Sequence, residues 1–485
     1  MKTHILKSIA FMLLLFQAVS CNESFFDINK NPNTVVDPTP ELTLPVGQVV
    51  AANFLQGQYN TSASFWVHYI TQAGNIAGQS NIDQYDIPPG DNAHQNQFNN
   101  TLYAGALDDL QYTSDRAKAD GNDNIFAVAE LMKAYMFQVA VDLFDKVPYF
   151  QALKGMEFPT PEYDDGDEIY ADLLVKIDAA LAVIDDNATI EGDLIFDGDM
   201  ALWRMFGNTL KLKIYLRQSE VNPTLASTGI DALEGEGFLG LGEDAEILYA
   251  ASPTNNQHPA WENDINAQVF VAASRTIINY MLAKNDPRID VYYRRPVLPD
   301  PANPHKGVPQ GEGSTITGTT AGLGYYSARN KFLIQEGSAG VFFSGAESLF
   351  LQAEAVARGW MDGDAQDLYE NAIRASFIRA GLTEAQANTY ITTSSPYPAG
   401  TLEQNLTAIL TEKWVSFSTR QGIEAFAEWR RTGIPDETVI YVSPISLLPA
   451  GEVAVRFPFT AREQGTNPNT PVIESLSTPV WWDID

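Results

Sequence analysis

Residues 120–149 read DGNDNIFAVAELMKAYMFQVAVDLFDKVPY. Val128, Leu131, Met132, Tyr135 and Val139 recur at the three- and four-residue spacing of one helical face, and Asp120-Gly121-Asn122 makes a polar break before them. The same period returns in Ile169, Leu173, Ile177, Leu181 and Ile184, and in the stretches Ala201 to Arg217, Ala346 to Arg358, Ala365 to Ala380 and Leu402 to Phe417. Short polar or glycine-containing breaks, such as Gly359 to Gly363, separate several of them into pairs. Helices that cannot bury an apolar face alone must cover one another. The expected fold is therefore mainly α, a tetratricopeptide-like helical-repeat scaffold. The repeat is degenerate, so this expectation rests on helix pairing and not on a matched consensus.

Two long stretches fall outside that period. Asn53 to Asn100 contains Trp66, Tyr69, Tyr85, Asn81, Asp83 and Gln84, and Pro287 to Gly345 contains Tyr292, Tyr293, Tyr325 and Tyr326 among many prolines and glycines. Long irregular segments in a compact domain are often functional, and these two are expected to form the ligand face. If they converge, the seven aromatics would supply the walls of a cleft, and Asn81, Asp83 and Gln84 its hydrogen-bonding groups. The alternative is surface loop with some aromatics in the core.

The N-terminus carries a different signal. Lys2 and Lys7 precede an apolar run from Ile9 to Phe16 that is too short to span a bilayer, and Ala18-Val19-Ser20 leads to Cys21, the only cysteine. The pattern resembles a secretory signal ending in a lipobox, with Cys21 acylated as the new N-terminus and Ala18 where leucine is usual; the alternative is an ordinary signal peptide with a chance cysteine nearby. Residues 1–20 are read as signal peptide and 21–45, rich in Asn, Pro and Thr, as a lipid-anchored tether; 46–485 are read as one binding domain. At about 0.8 kcal/mol per buried methylene, several acyl chains anchor a protein firmly.

Composition narrows the classes of partner. The formal charge is −31, from 61 acidic and 30 basic residues, and loss of Lys2 and Lys7 with the signal makes it more negative still. Such a chain repels phosphate backbones and anionic headgroups, which disfavours nucleic acid and electrostatic membrane docking. No run of 18 apolar residues follows the signal, so attachment is expected through lipid alone. One cysteine leaves no disulfide within the chain.

Motifs for catalysis are weak. Gly235, Gly237 and Gly240 spell G-x-G-x-x-G, but Glu236, Glu243, Asp244 and Glu246 would confront a phosphate with carboxylates, so a glycine-rich turn is expected. His68, His94, His258 and His305 show no metal-binding spacing, and no nucleophile elbow or Walker loop is present. The clusters at 164–168 and 362–364 precede predicted helices, where carboxylates cap free amides; capping is preferred there to calcium. No catalytic residue, metal or cofactor is assigned. Sixty-one acidic residues supply carboxylate pairs by chance, which leaves a glycosidase as an open third reading.

Four separated motifs together resemble the SusD/RagB-like outer-membrane lipoproteins of Bacteroidetes-type bacteria. They are Asp27-Ile28-Asn29-Lys30-Asn31-Pro32-Asn33; Leu131-Met132-Lys133-Ala134-Tyr135 leading to Val141-Asp142-Leu143-Phe144-Asp145-Lys146-Val147-Pro148-Tyr149; Glu412-Lys413-Trp414 followed by Phe426, Glu428, Trp429 and Arg430-Arg431-Thr432-Gly433-Ile434-Pro435; and Arg456-Phe457-Pro458 with Glu463, Asn467 and Asn469. Asp145 stands where relatives usually have glycine, and Asp tolerates the positive φ that such a position takes better than most residues.

The resemblance implies a surface-exposed, lipid-anchored binding protein in the outer membrane. It also implies a partner, a TonB-dependent SusC-like barrel transporter to which a nutrient is delivered. That nutrient is most often an oligosaccharide; the family also allows a peptide. Aromatic faces would pack on sugar C–H surfaces while Asn, Gln and Asp bind hydroxyls. The motifs themselves are expected to hold the scaffold, with Arg430 and Arg431 satisfying helix-end carbonyls or pairing with acids.

Overall fold

The computed structural model describes residues 37–73, 80–249, 258–259, 271–298, 304–313, 324–330, 338–418 and 420–484. Cys21, the signal segment and the tether as far as residue 36 lie outside the described residues. From the N-terminal side the scaffold helices are α1 (Pro40–Leu55), α2 (Gln58–Trp66), α3 (Asp108–Asp120), α4 (Asp123–Phe144), α5 (Gly166–Leu181), α6 (Met200–Arg217), α7 (Arg275–Ala283), α8 (Gly345–Ala357), α9 (Ala365–Arg379), α10 (Glu384–Thr393), α11 (Leu402–Phe417) and α12 (Gly422–Thr432). The described strands form three two-stranded antiparallel ladders: β1 (Ile70–Gln72) with β3 (Val271–Ala273), β2 (Ala245–Leu248) with β6 (Ala339–Phe343), and β4 (Tyr293–Arg294) with β5 (Ala328–Arg329).

The helices pack as neighbours in sequence: α3 on α4, α4 on α5, α5 on α6, α8 on α9 and α9 on α10. This is the pairing that the period-3.6 stretches demand, and the protein is mainly α as expected. At the centre, α4 buries Ile125, Val128, Leu131, Met132, Met136, Val139, Leu143 and Phe144. Each such side chain contributes about 1.5–3 kcal/mol on leaving water. By length and composition α4 could cross a membrane, yet most of it is enclosed by its neighbours. Asn122 starts it, accepting from the Ile125 amide at 3.2 Å. Asp145 ends it at φ 71° and fixes that turn by accepting from the Trp481 amide at 2.7 Å.

The later motifs close on the same turn. Arg430 donates to the Asp142 carbonyl at 2.7 Å and to the Val455 carbonyl at 2.6 Å, Arg456 donates to the Phe144 carbonyl, and the Phe457 amide donates to the Leu143 carbonyl at 2.9 Å. The orphan carbonyls of α4 are thus satisfied by three arginine and amide donors from the C-terminal third of the chain. Gly433 ends α12 at φ 62°, the left-handed cap that glycine adopts without strain. Asn467 and Asn469 clamp the carbonyls of Pro161 and Thr160, each at 2.9 Å.

Two expectations are corrected. Residues 40–45 are not tether: they are the first turns of α1, with Leu44 fully buried. Nor is 53–100 an irregular segment throughout, because it holds the end of α1, all of α2 and the helical turns Ser80–Asp83 and Asn92–Gln95. The helical period is hidden there because α2 is buried on nearly every side, Asn60, Ser62 and Ser64 included. The acidic cluster at 362–364 caps α9, Asp364 accepting from the amides of Gln366 and Asp367 at 2.9 and 3.1 Å. In the glycine-rich turn the Gly240 amide donates to the Glu243 carboxylate at 2.7 Å, so a carboxylate occupies the donor a phosphate would need.

Candidate ligand site

The two aromatic segments do converge. Ile70, Thr71 and Gln72 pair with Ala273, Ala272 and Val271, and Ser274 bridges to Val308. Buried Asp83 holds this junction, accepting from the Thr71 hydroxyl at 2.8 Å, the Gln72 amide at 3.1 Å and the Gln310 side-chain amide at 2.6 Å. Burial pushes its carboxyl up to about 6, against the opposing pull of those hydrogen bonds. Gln310 also donates to the carbonyls of Phe65 and Ile70 at 3.0 and 3.2 Å. One carboxylate and one amide therefore order four separate stretches of backbone.

Convergence does not make the aromatics into walls. Trp66, Tyr69, Tyr85, Tyr292 and Tyr293 are all buried in the main core, which corrects their placement as an open platform. Their polar atoms are used internally. Trp66 Nε1 donates to the Ile82 carbonyl at 3.0 Å, Tyr69 donates to the Trp414 carbonyl, Tyr85 accepts from the Ser443 amide at 3.3 Å, and Tyr292 and Tyr293 meet the hydroxyls of Ser376 and Ser418. Asp83 is likewise internal. Asn81 and Gln84 are half-buried, and the Gln84 carbonyl accepts from the Leu447 amide at 2.9 Å. Tyr325 is 52% exposed; Tyr326 is half-buried, packed on Ala73, Ala272 and Val308 with Lys306 Nζ 5.0 Å from its ring centre.

Beside the junction lies a shallow hollow of about 300 Å³ lined by Arg275, Thr276, Asn279, Tyr280, Thr438, Val439 and Tyr441. Ser274 caps α7 by accepting from the Thr276 amide at 3.3 Å. Arg275 with Asn279 and Thr276 with Tyr280 are four apart and so share a face of α7. Tyr280 rests edge-on against Trp414 at 5.6 Å. Opposite α7, Asp436 shapes the turn by accepting from the amide and hydroxyl of Thr438 at 3.0 and 2.6 Å. His68 links the two sides: its ring meets Tyr441 edge-on at 4.7 Å and its Nδ1 lies 3.0 Å from the Thr276 hydroxyl. Burial lowers the His68 imidazole to about 3, partly offset by a hydrogen bond at Tyr441, so it stays neutral and structural. His68 also has φ 59°, a strained conformation kept by its packing.

This geometry offers two aromatic rings, four hydroxyls, one amide and one guanidinium on an open face. Its one hydroxyl–imidazole pair, Thr276 with His68, has a weak base, since burial lowers His68 to about 3. A second hollow, about 320 Å³, lies among α3, α4 and α5, but its groups already pair with one another: Lys133 with Glu130 at 2.7 Å, and Tyr149 with Asp172 at 2.7 Å. Sequence reasoning missed Arg275, Asn279, Tyr280, Thr438 and Tyr441. The available signals were Ser274 before an apolar period on α7, and Gly433 and Pro435, which end α12 and make 436–443 a loop.

A family model, SusD-like and described as starch-binding and associating with the outer membrane, matches residues 32–457. The chain belongs to this SusD-like family. Its fold is similar to that of a chitin-binding protein (TM-score 0.79, 22% identity, 92% of this chain and 100% of the other). It is also similar to a chitin-binding SusD homologue from Flavobacterium johnsoniae (TM-score 0.74, 22% identity, 92% and 99%) and to a SusD homologue from Bacteroides uniformis (TM-score 0.74, 20% identity, 92% and 99%). No curated protein sequence matches the chain.

Proposed function

We propose that this protein is a non-enzymatic, lipid-anchored outer-membrane receptor that captures an oligosaccharide at the cell surface and passes it to a TonB-dependent SusC-like barrel. The observation that carries this reading is the hollow at the loop junction, where rings and hydrogen-bonding side chains lie together on an open face. Membership of a family described as starch-binding, and a fold shared with chitin-binding relatives, support sugar over peptide. Tyr325 adds an exposed ring and Tyr326 a half-buried one from the second loop segment.

The test is calorimetric titration of the mature protein, purified in detergent, with chito-oligosaccharides, malto-oligosaccharides and a peptide library, together with chromatography of the recovered ligand. Binding of a saccharide without cleavage is expected; cleavage would make the protein a glycosidase, and peptide binding alone would replace the sugar. Asn279 is exposed, so Asn279→Ala is expected to weaken saccharide binding by about 1 kcal/mol, the worth of a hydrogen bond, with the melting temperature unchanged.

The anchor is tested separately. Cys21→Ala is expected to move the protein from the membrane fraction to the soluble one, in cells lacking the barrel, because among the described residues the one helix long and apolar enough to cross a membrane is mostly buried in the core. Retention of Cys21→Ala at the wild-type level under those conditions would overturn the lipid anchor.

A further inference from the structure

The charge of the hollow is opposite to that of the chain. Acidic residues outnumber basic ones by 61 to 30, yet among the described residues lining the hollow there is no carboxylate, and Arg275 is the single charged side chain. Several other arginines are taken up by this excess: Arg379 pairs with Asp244 and Glu246, Arg374 with Glu370, Arg358 with Glu220 and Glu354, and Arg295 with Asp290. Arg275 is exposed at the first position of α7, and among the described residues its guanidinium has no ion-pair partner. On the facing turn Asp436 is engaged with Thr438, and Glu437, the acid next to Thr438, is exposed and does not line the hollow.

An arginine at the start of a helix is also placed against the helix dipole, which favours anions there and disfavours cations. Neither pairing nor capping therefore accounts for a guanidinium at this point of the hollow. Its planar fork of donors matches a carboxylate or a sulfate, and the hydroxyls of Thr276, Thr438 and Tyr441 and the Asn279 amide suit the remaining hydroxyls of a sugar. Carboxylates more than about 8 Å away are largely screened at physiological ionic strength, so the net charge of the chain opposes an anion in the hollow only weakly. Contact pairing decides affinity.

Resting on the reading of this hollow as a saccharide site, we propose that its ligand is an acidic glycan whose carboxylate or sulfate ester is bound by Arg275. Two probe pairs distinguish the sources of the charge: tetragalacturonate against its fully methyl-esterified form, and a sulfated carrageenan tetrasaccharide against its desulfated form. Each is titrated into the mature protein and into Arg275→Gln and Arg275→Lys. One charged member is expected to bind about tenfold more tightly than its neutral partner. Arg275→Gln should abolish that preference, so that charged and neutral members bind equally, with the melting temperature unchanged, and Arg275→Lys should keep part of it. Equal binding of charged and neutral members, or neutral binding alone, overturns the acidic-glycan inference and leaves the saccharide site standing. Failure of all four probes, and of the neutral chito- and malto-oligosaccharides, removes the site reading and the inference together.

Discussion

Arg217→Ala is expected to destabilise the protein by about 3–5 kcal/mol, the cost of breaking a buried ion pair by removing one partner. Arg217 is fully buried on α6 and donates to Asp142 at 3.1 Å, to Glu424 at 2.6 Å and to Glu428. The network extends through Lys213 to Glu424 at 2.6 Å, Lys413 to Glu428 at 2.8 Å, and Arg431 to Glu354 at 2.7 Å and Glu428 at 2.9 Å. Five helices, α4, α6, α8, α11 and α12, are tied by it. Such a network is not stabilising merely because it exists, since desolvation offsets much of the attraction. Deleting its central cation is different: three carboxylates remain in the core with too little positive charge near them. The control is Lys146→Ala, which breaks an exposed pair with Asp165 and should change stability by under about 1 kcal/mol. Urea midpoints of the two variants measure the contrast, and equal midpoints would mean that the buried network carries no net energy.

The pH dependence follows from the same residues. Burial raises the carboxyls of Glu354, Glu424 and Glu428, but the facing arginines and lysines outweigh it and hold all three below the usual 4.5. A depressed carboxyl contributes stability above its unfolded value that is lost as pH falls through the folded one, so this part of the network fails in acid. Glu347 behaves oppositely: burial pushes it up to about 7, despite Lys213, so it takes up a proton on folding and its contribution declines as pH rises from about 4.5 to 7. Stability is expected to peak in mildly acidic solution, and Arg217→Ala should shift the acid limb to higher pH.

The scaffold was legible in the sequence because helix pairing writes its own period. Val128 to Val139 and Ile169 to Ile184 face the core where predicted, and Arg430 and Arg431 took both of the roles open to them: Arg430 binds carbonyls, and Arg431 binds Glu354 and Glu428. The aromatic-rich stretches were less legible, for a physical reason. A tyrosine in a polar segment reads the same whether its hydroxyl meets water or a buried carbonyl. Only the fold shows that Tyr69 reaches Trp414, 345 residues away, and that Tyr293 reaches Ser418. Conversely, Arg275 and Asn279 are ordinary residues in a row. Their role depends on the 436–441 loop arriving beside α7, a contact that no local pattern records.

Trp66→Ala is expected to cost about 3–5 kcal/mol, the range for truncating a large buried aromatic. The indole stacks on Phe457 at 4.4 Å with an interplanar angle of 25°, and it approaches Phe426 at 5.1 Å and Tyr85 at 6.1 Å. Its Nε1 donates to the Ile82 carbonyl, which joins α2 to the 80–85 segment. Truncation would open a cavity between α2, α12 and the C-terminal motif, and would leave that carbonyl without its donor. Trp66→Phe separates the two losses: it keeps much of the ring volume and loses the hydrogen bond, so a smaller drop, of order 1 kcal/mol for the bond, is expected. Tyr325→Ala supplies the opposite case. Its ring is half in water, and surface substitutions of this kind usually stay within about 0.5 kcal/mol, so its melting temperature should match wild type whatever happens to glycan affinity. Measured by urea unfolding, the order Trp66→Ala, Trp66→Phe, Tyr325→Ala assigns the first residue to the core. A Trp66→Ala midpoint equal to that of Tyr325→Ala would return Trp66 to the surface, and with it the possibility that its ring contacts ligand.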